Sequence, residues 1–225
     1  MKNLRVNMID DLFAIYGTGG CGRTILPFAR ELLKSKKMNL QNLFFIDDNE
    51  KSNIVNGHKV MRPKQFFSLK ANKYYVCIAI SDVKIRKKIV NKTIKDDVLH
   101  WGLKSQNCVI MDNVKIDEGC VLSPFVTLTS NIRIGKCFHA NLYSYVEHDC
   151  IIGNFVTFAP GVKCNGNVEI GDNTFIGSGA IIKQGKSNKK LKIGKNVVIG
   201  MGSVVVSDIP DNSTFIGNPA KRLIK

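Results

Sequence analysis

The sequence predicts an α/β N-terminal Rossmann-like half-domain followed by a parallel β-helix of hexapeptide repeats. Two observations carry that prediction. The first half holds a strand, a glycine-rich turn, a helix and a second strand with an acidic end. The second half repeats its apolar residues every six positions, which is neither the helical period of 3.6 nor the alternation of an ordinary strand. A third observation concerns chemistry: the stretch YVEHDC sets His148 between Glu147 and Asp149 in the middle of that repeat.

The first half is organised by its short apolar runs. Residues 12–16, LFAIY, read as a buried strand; GTGGCG follows, then the apolar-periodic helix RTILPFARELLKS, then the strand NLFFIDD. Gly17, Gly19 and Gly22 fit G-x-G-x-x-G, with Gly20 inside the same turn. Such a turn opens a helix N-terminus toward a phosphate, and an acid at the end of the next strand, here Asp47 and Asp48, reaches a ribose hydroxyl. The plainer alternative is a tight turn with no ligand. YYVCIAI at 74–80 is a further buried strand, ending at Ser81 and Asp82, and KIRKKIV reads as a basic helix. Ligands bind at the carboxyl edge of such sheets, so Ser81 joins the candidates. A dehydrogenase needs about 150 residues for a full doubly wound domain, plus a substrate domain. Only about 100 residues precede the hexapeptides, which suggests a mononucleotide, such as the nucleoside of a sugar nucleotide, and no hydride chemistry.

The second half counts in sixes from Ile110: Ile116, Leu122, Leu128, Ile134, Ala140, Val146 and onward to Ile182. Four positions after each comes a residue that is mostly small or β-branched, such as Val126, Ser144, Cys150 and Val162. Short strands on three flat faces explain the period, with both sets pointing inward and Gly, Asn and Asp at the corners. The register breaks once. Eleven residues separate Ile182 from Ile193, where six are expected, so five must bulge from KQGKSNKKLK. That excursion is either a tolerated surface insertion or a loop leaning over a ligand or a neighbouring subunit.

Composition narrows the classes. The 225 residues are 44% hydrophobic and 23% charged, which is ordinary for a globular protein. No apolar run reaches the roughly 18 residues of a membrane span. The opening MKNLRVNMIDDLF has two adjacent acids and no sustained apolar core, so no secretory signal is expected. Seven cysteines with no CxxC pair argue against a zinc site or a disulfide framework and for a reducing cytoplasm. The net charge of +15 fits either anionic partners or simply solvated surface lysines. Its basic residues are scattered without interleaved aromatics, which speaks against nucleic acid.

The repeat also tells which way His148 points. Val146 takes the large inward position and Cys150 the small one, so His148 between them faces outward near a corner. A carboxylate beside it can fix one ring nitrogen and leave the other as a base. Asp149 is the favoured partner, with Glu147 facing elsewhere. His58, His100 and His139 are expected to be structural or solvated rather than catalytic, and His139, just before an inward residue, is placed where it could face the surface.

The motifs YGTGGCGR, FIDD, NGHKV and AISD, with NLYSYVEHDCIIGNF, PGVKCNGNVEIGDNTFIG and GNPAKRL, resemble a bacterial sugar acyltransferase family over nearly the whole chain. It includes sialic acid O-acetyltransferases and the N-acetyltransferases of nucleotide-linked 4-amino sugars, of bacillosamine and perosamine type. The resemblance implies a left-handed coil, a nucleotide-sugar-binding domain at 1–105 and an acetyltransferase domain at 106–225. It implies a homotrimer with active sites between subunits, acetyl-CoA as co-substrate, no metal, and cytoplasmic work in surface glycan synthesis. Carried over, His148 is the general base, Asp149 its orienting partner, and Gly166 the backbone donor to the thioester carbonyl. Asn141 and Glu147 lie on the substrate side. Gly17, Gly19, Gly20, Gly22, Asp47, Asp48 and Ser81 belong to the nucleotide sugar. Ser178, Gly179, Pro219, Ala220 and Lys221, with Gly166, belong to the CoA region. Three departures stand out: Thr157 replaces a second histidine that some relatives carry, the 183–192 excursion shifts the last coils, and ten residues precede the first strand, more than is typical. The expected reaction is acetyl transfer to the C4 amine of a nucleotide-linked 4-amino-4,6-dideoxy sugar. The rivals are O-acetylation of a sialic acid and a non-catalytic trimeric scaffold that binds a nucleotide sugar.

Overall fold

The computed structural model describes residues 10–49, 52–94 and 98–224. Most of the opening stretch read for a secretory signal, residues 1–9, lies outside the described residues. The chain divides into two compact units, one running to Ile80 and taking in Val90–Trp101, the other made of Ser81–Ile89 and the chain from Gly102 on.

In the first unit the elements run β1 (Leu12–Tyr16), α1 (Gly20–Ser35), β2 (Leu43–Ile46), β3 (Ile54–Val55), β4 (His58–Met61), α2 (Pro63–Phe66), β5 (Tyr74–Ile78), α3 (Val83–Lys92, shared with the second unit) and β6 (Val98–Leu99). They form one sheet in the order β3-β4-β2-β1-β5-β6. Every pair is parallel except β3–β4. Strand β1 lies in the middle and is buried along its whole length, as a continuous apolar run in a parallel sheet must be. The sequence expectations do not include the antiparallel β3–β4 hairpin. Its signal is the Asn56–Gly57 pair, with φ of 46° and 84°, the left-handed conformations that a two-residue hairpin turn demands. His58, at the start of β4, is structural: its Nδ1 faces the Leu43 carbonyl at 2.9 Å and its Nε2 accepts from Arg30 Nε at 3.0 Å.

The second unit is the parallel β-helix. Its two- and three-residue strands stack into three parallel sheets, closed at the end by one antiparallel pair. Pairing repeats every 18 residues, one coil of three hexapeptides. Leu122 pairs with Ala140, Ala140 with Phe158 and Phe158 with Ile176. After the excursion the step lengthens, Ile176 pairing with Ile199, so the extra residues leave the coil without disturbing its register. The core is the predicted double column, and Leu122, Val126, Leu128, Val146, Cys150, Val156, Ile170 and Ile182 are all buried. Two positions break the large-then-small rule together. Ala140 stands where a large residue is expected and Phe138 where a small one is. Phe138 meets Phe158 edge-on, with ring centroids 5.1 Å apart. Volume is conserved across neighbouring coils, as a close-packed core requires.

Three columns of left-handed corner residues run down the coil. One is Asn113, Asn131, Asp149 and Asn167. A second is Cys137, Phe155, Asn173, Asn196 and Asn212, below Gly119. The third begins with Phe125 and Tyr143 and continues as Gly161, Gly179 and Gly202. Residue preference reserves such corners for Gly, Asn and Asp. Cys137 and three aromatics also occupy them, and Phe125 stacks on Tyr143 with centroids 5.0 Å apart. Of its two alternatives His139 takes the structural one: it is buried, paired between Val121 and Thr157, with Arg86 donating to Thr157 Oγ1 at 2.8 Å on that face.

Candidate active site

His148 projects outward beside its corner, and its Nδ1 lies 2.8 Å from Asp149 Oδ2. Both side chains are 44% exposed. The left-handed turn at Asp149 is what lets adjacent residues meet, since neighbours in a regular strand point to opposite sides. The His148 hydrogen bond, opposed by desolvation and helped by Asn131 and Lys190, keeps the Asp149 carboxyl below its usual value. Nδ1 donating to a carboxylate makes it the protonated nitrogen and leaves Nε2 with a lone pair. That Nε2 has no hydrogen-bond partner among the described residues.

One coil further on lies Gly166. A Cβ built there would sit 2.5 Å from His148 Nε2 and 2.6 Å from Cε1. The ring therefore rests on the bare Cα, which only glycine permits. The Gly166 N–H donates to Glu147 Oε2 at 3.1 Å, and Asn167 N–H donates to the His148 carbonyl at 2.9 Å. Glu147, His148, Asp149 and Gly166 thus form one cluster. The engagement of the Gly166 amide by Glu147 escapes the sequence reading, although the 19-residue offset, one coil and one position, contains it. Asn141 is half-buried at a coil edge, its N–H donating to the Phe158 carbonyl at 3.0 Å. No hydrogen bond links its side chain to His148.

The predicted CoA residues gather on another part of the same unit. Ser178 and Gly179 are exposed at the third corner column, and Gly202 N–H donates to the Ser178 carbonyl at 2.8 Å. Ala220 N–H donates to the Val204 carbonyl at 2.8 Å, and the Asn218–Pro219 peptide is cis. Lys221 pairs antiparallel with Ile216. The tail and the Ser178 corner are therefore bonded to one and the same short stretch of chain, Gly202–Val204.

The predicted nucleotide turn lies in the first unit. Gly17 has φ 111°, and a Cβ there would fall 2.7 Å from Ile80 Cδ1. A Cβ on Gly22 would fall 1.9 Å from the Gly17 carbonyl oxygen, so the turn and helix α1 can close only on glycine. Gly19 and Gly20 face open space. The Asp47 carboxylate grips this turn: Oδ2 accepts from Thr18 N–H at 2.9 Å and Thr18 Oγ1 at 2.7 Å, and Oδ1 accepts from Asn49 N–H. Asp48 accepts from the Tyr16 hydroxyl at 2.7 Å. Burial first, and that bond second, raise the Tyr16 hydroxyl far above its ordinary range. Ser81 lies in the second unit, exposed, its carbonyl accepting from Arg86 at 3.2 Å.

Among the described residues no group of three or more His, Cys, Asp or Glu is placed to hold a metal ion, and no helix is long and apolar enough to cross a membrane.

A nucleotide-type sheet joined to a hexapeptide coil, with a His–Asp pair against a bare glycine, defines an acyltransferase of the hexapeptide class. The comparisons with known proteins carry this further. Residues 13–93 match the PglD N-terminal domain. The chain is 43% identical over 213 residues to the GDP-perosamine N-acetyltransferase of Escherichia coli O157:H7, covering 95% of this chain and 96% of that one. Among solved structures, WeeI from Acinetobacter baumannii AYE is similar with a TM-score of 0.91 at 46% identity, covering 95% of this chain and 100% of WeeI. The acetyltransferase domain of PglB from Neisseria gonorrhoeae FA1090, in complex with acetyl coenzyme A, has a TM-score of 0.84 at 27% identity, over 95% and 100%. The chain belongs to the sugar N-acetyltransferase family that contains the GDP-perosamine enzyme.

Proposed function

We propose that this protein transfers the acetyl group of acetyl-CoA to the C4 amine of a nucleotide-linked 4-amino-4,6-dideoxy sugar, with GDP-perosamine the first acceptor to test. The observation that carries the reading is the His148 Nδ1–Asp149 bond beside Gly166, in a chain that matches a GDP-perosamine N-acetyltransferase along 95% of its length. The nucleotide-sugar-binding role belongs to the first unit, within residues 1–105, and the acetyltransferase role to the coil of residues 106–225. The working assembly is a homotrimer with its sites between subunits.

Each step follows from the atoms available. The neutral amine attacks the thioester carbonyl carbon as His148 Nε2 takes the amine proton. The C–S bond then breaks, and the proton passes to the departing CoA sulfur. General base catalysis of this kind contributes about 10²–10⁴-fold. Asp149 holds the tautomer that leaves Nε2 basic. In the resting geometry Glu147 occupies the Gly166 N–H. The thioester oxygen takes over that donor on entering, which frees Glu147 to accept from the incoming amine. One such donor is worth about 3 kcal/mol to the developing oxyanion. Gly17, Gly19, Gly20 and Gly22 receive the nucleotide phosphates, and Asp48 lies on the nucleotide side. Asp47 supports the turn from below. Asn141 contacts the sugar. Ser178, Gly179 and the Pro219–Lys221 tail hold CoA.

The test is CoA release from acetyl-CoA with GDP-, UDP- and dTDP-linked 4-amino-6-deoxy sugars beside free sialic acid, with His148→Ala in parallel. Turnover on an amino sugar that falls at least 100-fold in the variant is the expected result. Turnover on sialic acid alone would move the protein to O-acetylation, and turnover undiminished in the variant would remove His148 from the chemistry.

A further inference from the structure

The excursion after Ile182 returns to the coil beside the His148 cluster. It is a tight hairpin: Lys186 and Lys189 exchange N–H···O bonds of 2.9 and 3.0 Å, with Ser187 and Asn188 at the tip. Its first leg donates Gly185 N–H to the Gly166 carbonyl at 2.9 Å. At its second leg Leu191 N–H donates to the Asn167 carbonyl at 3.0 Å. A Cβ on Gly185 would fall 2.1 Å from that same Asn167 oxygen, so the leg fits only as glycine. Lys190, half-buried, sends its ammonium back to the Asp149 carbonyl oxygen.

These contacts fall on both walls of the cluster. Gly166 lies under the His148 ring, and Asn167 N–H donates to the His148 carbonyl. Asp149 holds Nδ1. The hairpin thus grips the peptide after Gly166 from one side and the Asp149 corner from the other. A merely tolerated insertion would project into solvent. This one ties its two legs and one cation to backbone atoms within two residues of the proposed base and its donor.

We propose that the 183–192 hairpin is a positioning device for the acetyl-transfer site, with Lys190 as the positioning residue that fixes the Asp149 corner relative to Gly166. The inference rests on the acetyl-transfer reading for its kinetic consequence but not for its geometric one. Lys190 touches no reacting atom. It sets the backbone from which Asp149 orients the imidazole, and a site loosened by about 1 Å loses rate far more than binding.

The experiment compares wild type with Lys190→Met, which keeps the aliphatic stem and removes the donor, and Lys190→Arg, which restores a cation. Thermal unfolding confirms that each variant is folded. We expect kcat to fall about tenfold in Lys190→Met, with KM for acetyl-CoA within about twofold, and Lys190→Arg to recover most of the rate. The second readout needs no substrate: the imidazole ¹⁵N signals of His148, assigned through their loss in His148→Ala. In wild type they report protonation on Nδ1. In Lys190→Met they shift, and in Lys190→Arg they return. Unchanged kcat together with unchanged imidazole signals would overturn the proposal. A loss confined to KM for acetyl-CoA would do so as well, making Lys190 a ligand contact. Should wild type turn over none of the acceptors while the imidazole signals still shift in Lys190→Met, the positioning role stands and the acceptor reading falls.

Discussion

The His148 ring lies on Gly166, with Nε2 only 2.5 Å from where a Gly166 Cβ would be. The proposed base and the proposed oxyanion donor are therefore not independent groups. One methyl at residue 166 must move the ring, the backbone or both. Gly166→Ala is expected to reduce kcat roughly 100-fold, the scale of an ångström-level misplacement, while leaving the coil folded. CoA-release kinetics beside a thermal melt would check it. A variant that lost its fold before its rate would show that Gly166 serves the coil and not the chemistry.

Asp149→Asn separates charge from shape. The carboxylate of Asp149 is depressed chiefly by the His148 bond. A group with a lowered folded pKa contributes stability that is fully present above its ordinary carboxylate value and lost as pH falls through the folded one. The difference in melting temperature between wild type and Asp149→Asn should therefore be constant above about pH 5 and close as pH drops below the ordinary carboxylate range. The Asn variant also leaves the wrong tautomer accessible, so its kcat near neutral pH should fall by at least tenfold. Melts across acid pH and a rate at neutral pH read the two effects separately.

The six-residue period by itself implies the coil, its inward columns and the outward direction of His148. The 18-residue coil that follows from it already places Gly166 one turn beyond His148. What the period cannot contain is the conformation of single corners. That Asp149 turns back onto its neighbour depends on a φ of 59°, and that Phe125, Tyr143 and Phe155 share this conformation contradicts residue preference. The coil imposes the corner, and whichever residue falls there adopts it. The excursion was legible as five surplus residues, yet its return to Gly166 and Asp149 depends on hairpin pairing that no periodicity encodes. In the first unit the glycine motif was legible. The role of Asp47 was not, because strand-end position alone does not separate an acid facing a ligand from one that grips its own turn.

The seven cysteines sort by burial. Burial raises the Cys120 thiol to about 12 and the Cys137 thiol to about 11. At pH 8 their thiolate fractions are on the order of 10⁻⁴ and 10⁻³, and the thiolate is the reactive form. Iodoacetamide should modify half-exposed Cys21 in the native protein and reach Cys120 and Cys137 only on unfolding. Peptide mapping after timed alkylation, with and without denaturant, would check this. The sign for stability is the reverse of the Asp149 case. A thiol raised in the folded state holds its contribution below the ordinary thiol value near 9. It loses that contribution as pH rises toward 11 and 12, so the melting temperature should decline over that alkaline window.

The turn at Gly22 separates the two binding events. A Cβ there would meet the Gly17 carbonyl oxygen at 1.9 Å, a clash with backbone that no rotamer relieves. Gly22→Ala must therefore open the turn between β1 and α1, along with the Thr18–Asp47 clasp beside it. Phosphate recognition at such a turn relies on backbone N–H groups held at the helix N-terminus. KM for the nucleotide sugar should rise tenfold or more, while the Kd of acetyl-CoA, whose proposed site lies in the other unit, stays within about twofold. Isothermal titration with acetyl-CoA and steady-state kinetics in the sugar nucleotide give the two numbers. Equal losses in both would mean that the first unit serves the stability of the second, and the assignment of the glycine turn to the nucleotide would fail.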